Sequence, residues 1–406
     1  MNLLFLLPLL TCNTVAAEPP AASQKNLVVH EWGVFRIHDD VEMANADARA
    51  EWDSLPRFMY GQVSGRVVPI NWGASEIRRR PVVFFHSPQP VSLRMRIDFP
   101  GGMPGVWWPG THSPARLGNT RPTIGSALEW NLRVKEALPG QKPQHNGFRE
   151  VPKGHWIEQM REVKCDEVYA IFGEGPIDVD REKFVFYDGL FPQGKWLRVK
   201  VEKDRVSLLS QVKHPVHDVT VIDRRGDGKL RVGRLANLDA GAEIKAVEFV
   251  EMDRATFSAA AADVLIGQLS AAGLFKDEAA SLLAACKREL LETDGVTVFY
   301  RLPQAEYENR LPMTLTPRAE SLVRVGLVHH SHCEPDFEAQ VRKLVKQLDD
   351  AEFDVREAAQ KKLRAMGPPA AIHLARLLKN ETSVEVRRRV VELLIDWDAR
   401  LAFPRN

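Results

Sequence analysis

Nine residues, "VSLRMRIDF", alternate without a break: Val91, Leu93, Met95, Ile97 and Phe99 are apolar, while Ser92, Arg94, Arg96 and Asp98 are polar or charged. A period of two over that length predicts a strand with one face in a core and the other in water. "PVVFFHS" precedes it across "PQP" and predicts its partner, and "LEWNLRVK" repeats the alternation with Leu128, Trp130, Leu132 and Val134 inward. "WLRVKV", "DVTVID", "KLRVGRL" and "IKAVEFV" follow at short spacing, which predicts an antiparallel sandwich. The turn "DRRGDGK" contains Arg225-Gly226-Asp227, which hairpin chemistry explains without an adhesion role.

From residue 254 the period lengthens to 3.6. "RATFSAAAADVLIGQLSAAG" and "KDEAASLLAACKREL" predict a helical hairpin broken at Gly273, its second helix capped by Asp277. Strand patterns return in "GVTVFYRL" and "SLVRVGLVHH" and are expected to complete the preceding sheet. The tail is helical again, with one stripe through Phe337, Val341, Leu344, Val345 and Leu348 and another through Val355, Ala359, Leu363 and Met366. Leu344, Leu348, Val355 and Leu363 realign onto Leu374, Leu378, Val386 and Leu394, and a Val-Arg pair opens the second helix of both copies. A helical period of that size marks a solenoid, and this one resembles HEAT repeats. The expected organisation is therefore a signal peptide (1–17), a polar lead (18–26), a β-rich sandwich-like region (27–253), a helical hairpin (254–293), strands completing the β region (294–333) and HEAT-like repeats (335–398). The fold class is multidomain and β-rich, with an inserted helical hairpin and an all-α C-terminal segment.

The leader changes the compartment. "LLFLLPLL" is apolar but too short to span a bilayer, and Val15-Ala16-Ala17 fits a cleavage site. A secreted or periplasmic protein is expected, beginning at Glu18 and without a transmembrane segment once the leader is removed. Cleavage takes Cys12 and leaves Cys165, Cys286 and Cys333, which allows at most one internal disulfide. A hydrophobic core must therefore hold the chain together. Its 55 basic and 54 acidic residues balance, so no net field draws it to nucleic acid.

Three groups of residues could carry chemistry. The first is the polar triplet His30-Glu31-Trp32 in "LVVHEWGVFRI". On a regular strand His30 and Trp32 share a face with Val28 and Val34, and Glu31 lies opposite with Val29, Phe35 and Ile37. Adjacent His and Glu then cannot hold one metal, and Val34 occupies the position where the H-E-x-x-H zinc pattern needs a histidine. Glu31 on an apolar face requires a partner, such as an arginine. The second group is "HHSHCE", where His329, His330, His332, Cys333 and Glu334 offer ligands suited to zinc or copper, though a solvated linker has the same composition. The third is Trp107-Trp108 in the Gly/Pro-rich "GGMPGVWWPG", a candidate aromatic contact surface unless the indoles pin the loop to a core. The chain contains no Walker loop, no G-x-S-x-G elbow and no complete dinucleotide fingerprint.

With these residues in hand, the chain resembles a family of uncharacterised secreted bacterial proteins that open with His-Glu-Trp-Gly-Thr-Phe. The matching segments are "HEWGVF", "RPVVFF", "EKFVFYDG" and "YRLPQAEYENRLP", over residues 27 to 330, with the helical tail appended. Val34 stands where the family has Thr, and "RRRP" lacks the acidic residue expected before Pro81. If those polar groups form a site in relatives, part of it is lost here. The resemblance implies architecture and export rather than a reaction. The expected function is an exported, non-catalytic binding or scaffold protein that meets a protein partner through its C-terminal repeats and uses no cofactor. The alternative is a metal-dependent hydrolase with a His/Glu/Cys site, zinc being the candidate ion.

Overall fold

The computed structural model describes residues 23–37, 55–56, 58–61, 75–111, 125–136, 151, 153–171, 179–192, 196–202, 205–225, 229–293, 295–330, 333, 337–367, 370–378 and 381–396. The signal peptide, His332 and Glu334 lie outside them.

In chain order the first strands are β1 (Ser23–Ile37), β2 (Tyr60–Gly61), β3 (Ser75–His86), β4 (Val91–Asp98), β5 (Met103–Trp108) and β6 (Ala127–Lys135). They are followed by β7 (Glu167–Ile171), β8 (Val179–Glu182), β9 (Val185–Pro192), β10 (Leu197–Val201), β11 (Val206–Ser210) and β12 (Val216–Asp223). The last are β13 (Lys229–Leu238), β14 (Glu243–Ile244), β15 (Val250–Asp253), β16 (Val296–Arg301), β17 (Met313–Thr316) and β18 (Arg318–His330). The helices are α1 (Trp156–Arg161), α2 (Arg254–Ala271), α3 (Lys276–Lys287), α4 (Gln304–Arg310), α5 (Phe337–Gln347), α6 (Phe353–Met366), α7 (Ala371–Leu378) and α8 (Val384–Asp396).

A ten-stranded sheet in the order β15-β13-β12-β16-β18-β1-β3-β9-β5-β2 forms the centre of the body. One face packs against a five-stranded sheet, β17-β4-β6-β7-β8, and a three-stranded sheet, β10-β11-β14, through a core that includes Phe35, Val83, Met95, Trp130, Leu208 and Val298. The other face is covered by α1, α2 and α3 through Trp32, Phe84, Trp108, Phe257, Leu282 and Val325. The central strands are thus buried on both sides, which explains unbroken apolar runs such as "PVVFF" and "VTVFY" beside the clean alternation of β4. β-Rich antiparallel packing matches the sequence expectation, with one correction and two refinements. "PVVFFHS" is not the partner of "VSLRMRIDF": β3 pairs with β1 and β9 in the ten-stranded sheet, whereas β4 pairs with β6 and β17 in the five-stranded one. The β1–β18 pair is parallel, and the inserted helical hairpin covers a sheet face.

β1 sits between β18 and β3 and starts at Ser23, inside the segment expected to be a polar lead. Its register with β3 shifts between Trp32, opposite Val82, and Val34, opposite Arg79. The extra residue falls on β3, beside Pro81, which has no N–H to give a ladder. The bulge therefore leaves the alternation of β1 intact. The four C-terminal helices α5 to α8 bury their own cluster, including Val341, Leu348, Leu363, Leu374, Val390 and Leu394. That cluster is separate from both cores of the body.

Candidate functional site

β1 divides its polar residues between the two cores. Glu31 points to the sheet–sheet side and is fully buried. Its Oε1 accepts from the Tyr187 hydroxyl at 2.5 Å and the Tyr307 hydroxyl at 2.7 Å. Its Oε2 accepts from Arg324 Nε at 2.6 Å. Arg324 lies opposite Glu31 in the β1–β18 register, donates Nη1 to the Leu311 carbonyl at 2.6 Å and stands 4.5 Å over the Tyr307 ring. Burial alone would lower the guanidinium pKa, but the Glu31 carboxylate outweighs it and holds Arg324 above the ordinary arginine value. Glu31 is therefore part of a satisfied buried ion pair, and the arginine that its apolar face required is Arg324.

His30 points the other way. It shares its face with Trp32 and with His86, which stands opposite Val28 at the end of β3. The diagonal offset brings the two imidazole centroids to 5.5 Å. Glu278, in the first turn of α3, completes the group. Its Oε2 meets His30 Nδ1 at 2.7 Å and also accepts the Phe275 N–H at 2.8 Å, while its Oε1 meets His86 Nε2 at 2.8 Å. Burial would raise the Glu278 pKa, but the hydrogen bonds from His30 and His86 outweigh it and hold the carboxyl below its usual range. The helix is thus capped from within by Glu278 on the Phe275 N–H. Asp277, the expected cap, lies inside the first turn, where its Oδ1 accepts the Glu278 N–H at 3.1 Å and its Oδ2 accepts the Lys164 N–H at 2.8 Å.

Among the described residues, His30, His86 and Glu278 are the group whose donor atoms could hold a metal ion, all lying within 4.8 Å of one another. Glu278 and His30 are buried, and His86 has 17 % of its side chain exposed. The Phe275 ring lies 4.6 Å from His30 and 4.8 Å from His86. Cys165 offers no reactive thiolate: burial pushes its pKa up strongly, the Lys183 charge pulls it back less, and its Sγ donates to the Lys183 carbonyl at 3.2 Å.

The remaining candidates do not converge. His329 and His330 are buried on β18, and as strand neighbours they face opposite ways. His330 Nε2 lies 3.3 Å from the Tyr300 hydroxyl. Cys333 packs against the sheet–sheet core and donates its N–H to the Val296 carbonyl, so these described members of the His-rich run form no ligand set. Trp107 and Trp108 are 2 % and 1 % exposed and belong to strand β5, one to each core. Trp108 Nε1 donates to Glu182 at 3.2 Å and its ring stacks on Tyr60. The pair pins strand to core and offers no open aromatic face.

Sequence reading finds His30 but misses His86 and Glu278. His86 ends an apolar strand run, and Glu278 stands at the third position of a helix where capping glutamates are common. Separations of 192 and 248 residues from Glu278 hide their convergence from any local pattern. Comparisons with protein-family models, with curated proteins and with solved structures find no match.

Proposed function

We propose that this is an exported, non-catalytic scaffold protein, built as in the secreted family with the His-Glu-Trp-Gly motif, whose HEAT-like tail takes a protein partner. The observation that carries this reading is a repeated device in the tail. Arg356 Nη1 donates back to the Asp350 carbonyl at 2.7 Å, and Arg387 Nη1 donates back to the Glu381 carbonyl at 3.1 Å. Both the arginines and their acceptors differ by 31 positions, so the Val-Arg signature ties the same loop to the same helix in each copy. The same offset relates Phe353 to Val384, which are 59 % and 81 % exposed at the first turns of α6 and α8. Repeated apolar residues left in water on one edge of a repeat array suit a protein partner. In the body, the buried Glu31–Arg324 pair joins β1 to β18 at the centre of the ten-stranded sheet. No helix among the described residues is long and apolar enough to cross a membrane.

The test is site-specific photo-crosslinking in the native host. A crosslinker at position 353 or 384 is expected to trap the same discrete partner, while one at Ser92, on the wet face of β4, traps none. Equal trapping at all three positions, or none at any, refutes a partner surface on the tail.

A further inference from the structure

We propose that His30, His86 and Glu278 form a binding site for a zinc-class divalent ion, independent of the tail and of any partner it takes. Two imidazole nitrogens and a carboxylate oxygen are the donor set that borderline transition metals select. Here they come from three elements, β1, β3 and α3, and converge within 4.8 Å. The geometry is close to what an ion requires. Zinc bonds of about 2.0–2.2 Å in a tetrahedral arrangement separate ligand atoms by about 3.3–3.5 Å. The two nitrogen–oxygen contacts of 2.7 and 2.8 Å are hydrogen-bond lengths, and the three donors lie within 4.8 Å of one another, so an ion enters when each contact opens by about 0.5–0.8 Å and the widest pair closes toward the same spacing.

The chemistry of the ion-free state points the same way. Each imidazole presents its carboxylate-facing nitrogen as a donor; shifting that proton to the other ring nitrogen turns the same lone pair toward an ion. Glu278 retains the Phe275 N–H at 2.8 Å, which fixes its orientation as an outer hydrogen bond to a metal ligand does. A carboxylate with no side-chain exposure is costly to bury, and a divalent ion held between it and the two imidazoles compensates that charge directly. Access lies at His86, the partly exposed member, beside Phe275, which is itself 45 % exposed. Three protein donors leave further coordination positions for water or an outside ligand. An ion here would join the central sheet to the helical hairpin, because β1 and β3 supply two ligands and α3 the third.

The measurement uses the full mature chain without a histidine tag, stripped by chelator dialysis and titrated with zinc by calorimetry, with cobalt absorption as a second readout. One zinc per chain is expected, with tetrahedral cobalt bands in the visible. His86→Ala is expected to weaken zinc by 100-fold or more. Glu278→Gln, which keeps an oxygen for the Phe275 N–H and so protects the helix cap, is expected to weaken it comparably. A His332→Ala, Cys333→Ser control is expected to bind as the parent does. Substoichiometric zinc in the parent, or affinity unchanged by both site variants, overturns the proposal. So does affinity lost only in the control, which assigns the metal to the His-rich junction.

Discussion

Replacing Glu31 by Gln tests the centre of the fold with a single atom changed. The amide oxygen can still accept from Tyr187 and Tyr307, but the amide nitrogen then faces Arg324 Nε, a donor opposing a donor 2.6 Å away. The loss of one buried charged hydrogen bond costs about 1–3 kcal/mol. Both side chains of the ion pair are 0 % exposed, so the change also strands a guanidinium that water cannot reach. Breaking a buried pair from one side costs about 3–5 kcal/mol, and that larger figure applies here. Arg324 keeps its bond to the Leu311 carbonyl and its place over the Tyr307 ring, which limits the penalty to that range. At about 2–4 °C per kcal/mol, the body's melting temperature should fall by roughly 6–20 °C. Urea unfolding followed by tryptophan fluorescence gives the same quantity, because buried Trp32, Trp107 and Trp130 all belong to the body. Arg324→Met, alone and combined with Glu31→Gln, closes a double-mutant cycle in which the double variant loses less than the two singles together. A Glu31→Gln protein that melts with the parent would show that the pair does not hold the sheet.

Asp223 is held below the usual carboxylate range: burial would raise it, but hydrogen bonds from Arg225 and Arg231 prevail. Its contribution is therefore complete above the unfolded aspartate pKa of about 3.9 and disappears as pH falls through the depressed folded value. Asp223→Asn should cost about 1.5–3 kcal/mol at neutral pH and converge with the parent in strong acid; a gap that persists undiminished at pH 2 contradicts this. In the tail, Arg356→Ala and Arg387→Ala should each cost about 1 kcal/mol and add when combined, while a change at one position alone would break the repeat symmetry. Export predicts a mature chain starting at Glu18, and intact-mass measurement that finds Met1 retained on protein from the native host contradicts it.

The sequence made the strand faces legible because side chains alternate whatever the sheet topology. Glu31 could be placed among Val29, Phe35 and Ile37, and its need for an arginine followed from the cost of a lone buried charge. Which arginine it takes was not legible, since Arg324 lies 293 residues away and reaches Glu31 only through a parallel pairing that no turn announces. Trp107 and Trp108 pin their segment to the core, one of the two roles their surroundings allow, but Gly and Pro around them read as a loop, whereas the segment is a strand paired to β9. The helical hairpin was clear in its period, but its docking on the sheet depends on Phe257, Leu265 and Leu282 meeting Phe84 and Val325 across the chain. For the same reason Glu278 read as one more charge at a helix start.

The division of labour across β1 is the central claim: Glu31 holds the fold, and its neighbour His30 serves an ion. Thermal melts of the parent, Glu31→Gln and His86→Ala, each with and without zinc at a hundred times the parent's dissociation constant, test it most directly. Binding at that ratio stabilises by about 2.7 kcal/mol, or roughly 5–10 °C. The parent should rise by that amount. Glu31→Gln should start lowest and rise as much, and His86→Ala should start about 1.5–3 kcal/mol below the parent, for the lost hydrogen bond to the Glu278 carboxylate, and not rise. A zinc response that survives in His86→Ala, or vanishes in Glu31→Gln, would contradict it.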